Sequence, residues 1–230
     1  MKTVVVRNKP QVEQEKIDRL CEYGVATIHE VMGRVGLMGK QMNPVAIGQQ
    51  AAGRALTVLA QPGDNWMIHA ALDVAQPGDI MVLGCTTENY DGMFGDLLME
   101  SCIALGVVAL VCDAGVRDTR DIRERGFPVW SSAVYAKGTV KETLGAVNVP
   151  VVCSGELVRA GDVVVGDDDG VVVVPVEQVD EVLEKCQQRI DDEAIKREKL
   201  AAGEKSFDLY NLRQRALDRG LYYVDKLEDV

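Results

Sequence analysis

Charged residues separate the apolar positions Val12, Ile17 and Leu20 in "VEQEKIDRLCEY" (12–23), a spacing that predicts an amphipathic helix. A second short helix is predicted over "ATIHEVMGR" (26–34). "VGLMGKQMNPVAIGQQ" (35–50) has Gly, Pro and Asn but no period, and reads as a loop. Apolar runs then alternate with helical patterns. They give a strand "RALTVLA" (54–60), a turn "QPGD" (61–64), a helix "NWMIHAALDVA" (65–75), a second "QPGD" (76–79) and a strand "IMVLG" (80–84). Both tetrapeptides are good turn chemistry. A helix starting near Asp96, a strand "VVALVCD" (107–113), a short helix near 118–125 and a short strand "FPVW" (127–130) follow. From 149 to 175 strands succeed one another without helices, and "GDDDG" (166–170) between two valine runs predicts a hairpin turn. Val176 to Leu200 reads as a long amphipathic helix and 206–217 as another.

The order of elements predicts a mixed α/β domain over residues 1–175 and a helical C-terminal arm over 176–230. The arm is polar over much of its length, so it is expected to reach a neighbouring subunit. The 230 residues suffice for one large domain, and with 5% aromatic residues its core must be mainly aliphatic.

A formal charge of −11 opposes binding to a phosphate backbone, which argues against a nucleic-acid partner. The N-terminus has no secretory leader pattern, and the longest apolar stretch falls well short of the ~20 residues a spanning helix needs. A cytoplasmic protein with no membrane partner is expected. Six cysteines occur without C-x-x-C spacing, and four of them lie in or beside apolar runs, as inert core thiols would.

Several chemical motifs fail. The glycines of "GRVGLMG" do not have dinucleotide-binding spacing, and no phosphate-binding P-loop occurs. With Gly170 at loop position 6 of a calcium loop, positions 1 and 12 would be Val165 and Val176, so "DDDG" is a turn. Only His29 and His69 could supply an imidazole. His29 and Glu30, just before a glycine-rich loop, stay as candidates for lining a site.

The segment "GDLLMESCIALGVVALVCDAGVRD" (95–118) is different. Asp96 stands where a helix begins, and the first N–H groups of a helix lack internal partners and suit an anion. Arg117 and Asp118 follow a buried strand, and open α/β sheets bind ligands at strand C-termini. Both polar ends can therefore arrive at one sheet edge. Two carboxylates facing one site call for a cation between them, and few carboxylates plus water is how Mg²⁺ is held. Arg117 can grip a substrate carboxylate or stabilise an oxyanion. The same residues could instead be a helix cap and a surface ion pair.

Asp96, twenty residues, then Arg117-Asp118 resembles the D-x20-R-D signature of the class II pyruvate aldolases, which act on 4-hydroxy-4-methyl-2-oxoglutarate and 4-carboxy-4-hydroxy-2-oxoadipate. "HEVMGRVGLM", "LAQPGDNWMIH", "DGMFGDLL", "FPVW", "GDVVVGDDDGVVVVP" and "KREKLAAG" extend the resemblance over nearly the whole chain. It implies an RraA-like swivelling β/β/α fold and retro-aldol cleavage to pyruvate, with Mg²⁺ or Mn²⁺ as cofactor. Asp118 would ligate the ion, Asp96 would act through metal-bound water, and Glu193 would come from an adjacent subunit to the outer shell. Arg117 and the amides of Gly95, Leu97 and Leu98 would hold the pyruvyl part, with Asn65 toward the variable end of the substrate. Oxaloacetate decarboxylation and a homotrimer or homohexamer are also implied. Met93 departs from the pattern, where an aromatic residue is expected. The main alternative is an RraA-like protein-interaction module that inhibits ribonuclease E. A Schiff-base aldolase is disfavoured because the apolar strands contain no lysine.

Overall fold

The computed structural model describes residues 3–229. Its strands are β1 (Val4–Val5), β2 (Asn43–Pro44), β3 (Ala51–Ala60), β4 (Asp79–Cys85), β5 (Gly92–Phe94), β6 (Ala109–Val116), β7 (Val129–Val134), β8 (Ala146–Val147), β9 (Val151–Cys153), β10 (Glu156–Val158), β11 (Val163–Asp167) and β12 (Gly170–Val174). The α-helices are α1 (Gln14–Val31), α2 (Trp66–Leu72), α3 (Asp96–Ala104), α4 (Thr119–Arg125), α5 (Val179–Ala201), α6 (Ser206–Leu209) and α7 (Leu212–Leu217).

β3, β4, β6 and β7 lie side by side and parallel. The helices α2, α3 and α4 fill the connections between them, as parallel strands require. β3 is shared along its length. Its first residues pair with β11 and its later ones with β8, both antiparallel. The short β5 lies against the end of β6, and that register builds the candidate site described below.

Three packed layers explain the apolar pattern. Leu56, Val58, Met81, Leu83, Leu110 and Cys112 point to one face of the sheet, where α2 and α3 cover them. Ala55, Ile80, Val82, Val111 and Trp130 point to the other, against Val164, Val171 and Val173. Val163, Val165, Val172 and Val174 face the opposite way, onto α1 and the first turns of α5. The valine runs of the β11–β12 hairpin are thus buried on both sides, which is why they lack polar alternation.

Between them, Asp168 and Asp169 form the predicted tight turn, with Asp167 paired to Gly170. Asp167 also accepts the N–H of Val25 at 2.8 Å. That bond starts the second half of α1 after a break at Gly24, whose φ of 76° suits glycine. The two helices read from the sequence are therefore one kinked element.

Lys9 and Asp79 form a fully buried ion pair at 2.7 Å. Asp79 also accepts the Gln76 N–H at 2.9 Å, so the second Gln-Pro-Gly-Asp turn ties the N-terminal segment to the start of β4.

The chain divides into two compact units, Met1–Cys186 and Gln187–Val230. This division falls later than the expected boundary at 175/176, because Val179, Val182, Leu183 and Cys186 belong to the core of the first unit. The helix expected over 206–217 is two short ones, interrupted at Asn211 in the left-handed region.

Candidate active site

The ladder between β5 and β6 sets the geometry. Gly92 registers with Gly115 and Phe94 with Val116. The next backbone bond, Arg117 N–H to the Phe94 carbonyl, is 2.9 Å long. The residue after β5 is Gly95, the N-cap of α3, and the residues after β6 are Arg117 and Asp118. The register thus brings a helix N-terminus and a strand C-terminus to one edge of the sheet.

Asp118 Oδ2 lies 3.3 Å from the Asp96 N–H and 3.5 Å from Arg117 Nε. A Cβ placed on Gly95 would stand 2.3 Å from the same oxygen, so the absent side chain at 95 makes the cradle in which this carboxylate sits. Asp118 is left-handed (φ 54°, ψ 34°), which turns the chain from β6 into α4 and directs its carboxylate back across Gly95. The side chains of Arg117 and Asp118 are 46% and 34% exposed, respectively, so both stay open to a ligand.

Asp118 offers a hard oxygen donor of the kind a divalent cation takes. Both contacts to Asp118 Oδ2 are long for charge-assisted hydrogen bonds, leaving lone pairs available. Among the described residues no three His, Cys, Asp or Glu side chains converge as a metal-binding group. One or two carboxylates with water completing the shell is the Mg²⁺ pattern; Asp118 offers one carboxylate at this edge, while Asp96 meets it through its backbone N–H. The first-turn amides of α3, including those of Leu97 and Leu98, face outward from the helix start, where a small anion is stabilised.

The remaining expected residues lie elsewhere. Asn65 is buried at the start of α2 and donates Nδ2 to the Met93 carbonyl at 3.1 Å, while its Oδ1 is buried without a hydrogen-bond partner. It is therefore tied to β5 at Met93, two residues before Gly95. Glu193 belongs to the second unit, where its carboxylate pairs with Arg189 at 2.8 Å. His29 and Glu30 make local contacts, His29 with the Val35 carbonyl and Glu30 with Arg34.

Sequence reasoning missed Asp64, the acid of the first Gln-Pro-Gly-Asp turn. It is 2% exposed and accepts N–H groups from Trp66, Glu142 and Thr143 at 2.9, 2.7 and 2.6 Å. Burial alone would raise its carboxyl, yet those three N–H groups outweigh it and hold the pKa below the ordinary range. The signal was present as a repeated tetrapeptide: each copy buries its aspartate to tie down a distant segment.

No helix among the described residues is long and apolar enough to cross a membrane.

Comparison with known proteins agrees with this architecture. Residues 21–173 match the family model described as "RraA-like: Aldolase/RraA". A protein of Halalkalibacterium halodurans named "putative 4-hydroxy-4-methyl-2-oxoglutarate aldolase" is 30% identical over 81% of this chain and 90% of its own. The crystal structure of Streptomyces coelicolor RraAS2, described as an unusual member of the RNase ES inhibitor RraA protein family, is 27% identical. It superposes with a TM-score of 0.74 over 83% of this chain and 99% of its own. An uncharacterized protein from Pseudomonas syringae shares the fold at a TM-score of 0.76 and 24% identity, over 86% of this chain and 93% of its own. A mixed α/β domain with this fold, C-terminal helices, and the family model matched over most of its length place the chain in the RraA-like family, Aldolase/RraA.

Proposed function

We propose that the chain is a divalent-metal-dependent lyase that cleaves 4-hydroxy-4-methyl-2-oxoglutarate or 4-carboxy-4-hydroxy-2-oxoadipate. The products are pyruvate plus a second pyruvate or oxaloacetate, and oxaloacetate decarboxylation is a side reaction through the same pyruvate enolate. One observation carries the reading: Asp118, Arg117 and the α3 N-terminus meet around the bare Cα of Gly95.

In this reaction the 4-hydroxyl loses its proton, the C3–C4 bond breaks, and its electron pair enters the pyruvyl fragment as an enolate that is then protonated at C3. Negative charge therefore grows on the oxygen at C2. Asp118 directly and Asp96 through water would hold Mg²⁺ or Mn²⁺, which would supply Lewis-acid stabilisation of that charge. Arg117 orients the pyruvyl group and adds a fixed positive charge beside the same oxygen. The amides of Gly95, Leu97 and Leu98 hold the pyruvyl carboxylate at the helix N-terminus. Asn65, which holds β5 through the Met93 carbonyl, lies toward the variable end of the substrate. Glu193 reaches the outer shell from an adjacent subunit of a trimer or hexamer, and the arm beyond Cys186 packs on that neighbour.

The test is pyruvate release from a 4-hydroxy-2-oxo acid, with Mg²⁺ and again with EDTA. Turnover should require the metal. Arg117→Ala should lower kcat by about 10²–10³-fold while the circular dichroism stays that of the wild type. No metal-dependent turnover on any such acid would overturn the reading.

A second reading is an interaction module that inhibits ribonuclease E. The RraAS2 likeness, which spans nearly all of that protein, favours it. Inhibition of purified ribonuclease E in the absence of any lyase activity would select it.

A further inference from the structure

We infer that Asp64 is a positioning residue that clamps the strap 137–145 as the outer wall of the Arg117 site and so sets where the guanidinium lies. Only the kinetic consequence of this inference rests on the aldolase reading.

Two of the three N–H groups bound by Asp64 belong to the strap, and one oxygen, Oδ2, takes both. Oδ1 takes the local Trp66 N–H. Two backbone bonds close the clasp: Val140 N–H to the Gly63 carbonyl at 2.9 Å and Asn65 N–H to the Val140 carbonyl at 3.1 Å. From there the strap runs to β5 and Arg117. The Lys137 carbonyl accepts the Gly92 N–H at 2.8 Å, and Lys137 Nζ pairs with Asp91 at 3.0 Å. A Cβ on Gly138 would stand 3.4 Å from Arg117 Nη1, and one on Gly92 would stand 3.3 Å from Arg117 Cβ. Arg117 therefore has β5 on one side and the strap on another, with nearly half of its side chain still open.

The neighbouring residue completes the arrangement. Asn65 donates to the Met93 carbonyl, which lies in β5. One dipeptide in one turn thus holds both walls, the strap through Asp64 and β5 through Asn65. A residue needed only to close its own turn would need only the Trp66 bond. The two bonds to Glu142 and Thr143 point to a role in placing the strap.

That division of labour supplies the variants. In Asp64→Ser the hydroxyl can still accept the Trp66 N–H but is too short to reach the strap. Asp64→Asn retains a carbonyl oxygen able to accept both strap N–H groups and should partly rescue. In Asp64→Ser, amide hydrogen exchange over 137–145 should quicken at least about tenfold while β3 and β4 stay protected. The Arg117 Nε–Hε resonance should shift or broaden, and kcat should fall about 10²-fold with little change in KM. The exchange and the resonance are read in the wild type and variants whether or not turnover is seen. Absence of aldolase activity in the wild type would therefore sink the functional reading and leave this inference to be judged by the spectra. Unchanged strap protection, or an unmoved Arg117 resonance, in Asp64→Ser would overturn it. If Asp64→Ser melts the whole domain, Glu142→Pro removes one strap donor, leaves Asp64 intact, and is judged by the same two readouts.

Discussion

Gly95→Ala isolates the cradle of Asp118 from the stability of the fold. Gly95 has φ −152° and ψ −167°, extended backbone that alanine adopts without strain. The new methyl would stand 2.3 Å from Asp118 Oδ2, whereas ordinary contact begins near 3.4 Å. The carboxylate must therefore retreat by about 1 Å, and a misplacement of that size costs about 10²-fold in rate, or about 2.7 kcal/mol of transition-state stabilisation. The Asp118 side chain is 34% exposed and can swing outward, so the melting temperature should move by less than about 2 °C. Gly92→Ala is the contrasting control. Its methyl would meet the Tyr135 carbonyl oxygen at 2.6 Å, a backbone atom that cannot step aside, so it should lower the melting temperature clearly. The assay is pyruvate release coupled to lactate dehydrogenase at saturating Mg²⁺, alongside thermal melting. Gly95→Ala with wild-type kcat and an unchanged melting temperature would refute the idea that this oxygen must occupy its observed position. Inactivity accompanied by a large drop in melting temperature would refute the separation of site from fold.

Three further outcomes are expected. Lys9→Met leaves the Asp79 carboxylate buried without its ammonium partner and should cost about 3–5 kcal/mol in urea denaturation, with full stability in the variant counting against a tightly buried pair. Burial pushes the Cys85 and Cys102 thiols up to about 12, so native protein at pH 8 should leave both unlabelled by a maleimide over minutes, and rapid labelling of either would contradict their packing. Glu193→Gln should weaken metal affinity or activity by about 10–100-fold, less than Arg117→Ala, and a larger loss would make Glu193 a direct ligand.

Local chemistry made much of the fold legible. The hairpin turn at Asp168–Asp169, the break between the two halves of α1, and the strands β3 and β4 follow from turn residues and apolar runs over a few positions. The candidate site was legible in part, because helix-start and strand-end chemistry placed Asp96 and Arg117 at opposite ends of one segment. The ladder that joins those ends was not. β5 is only three residues long inside "YDGMFGD", and its pairing with β6 depends on a register that no local pattern announces. Strand β6 also runs further than its apolar core suggested, to Val116, because Gly115 permits a close approach of the Tyr90 carbonyl that a side chain would block. The strap was invisible for a different reason: it has no regular structure, and backbone groups gripped by Asp64 hold it in place. The boundary of the arm moved because four apolar residues of α5 serve a core built largely from sequence far upstream.

The left-handed backbone at Asp118 limits how this protein can change over generations. Most side chains would strain a left-handed site by about 1–2 kcal/mol, whereas Asn and Gly occupy it comfortably. Both are one nucleotide away from aspartate in the genetic code. A descendant could therefore surrender its candidate cation ligand in a single step and keep an intact scaffold. The backbone angle that aims the carboxylate also provides an easy route for a lineage to give up the candidate site and keep a purely architectural role.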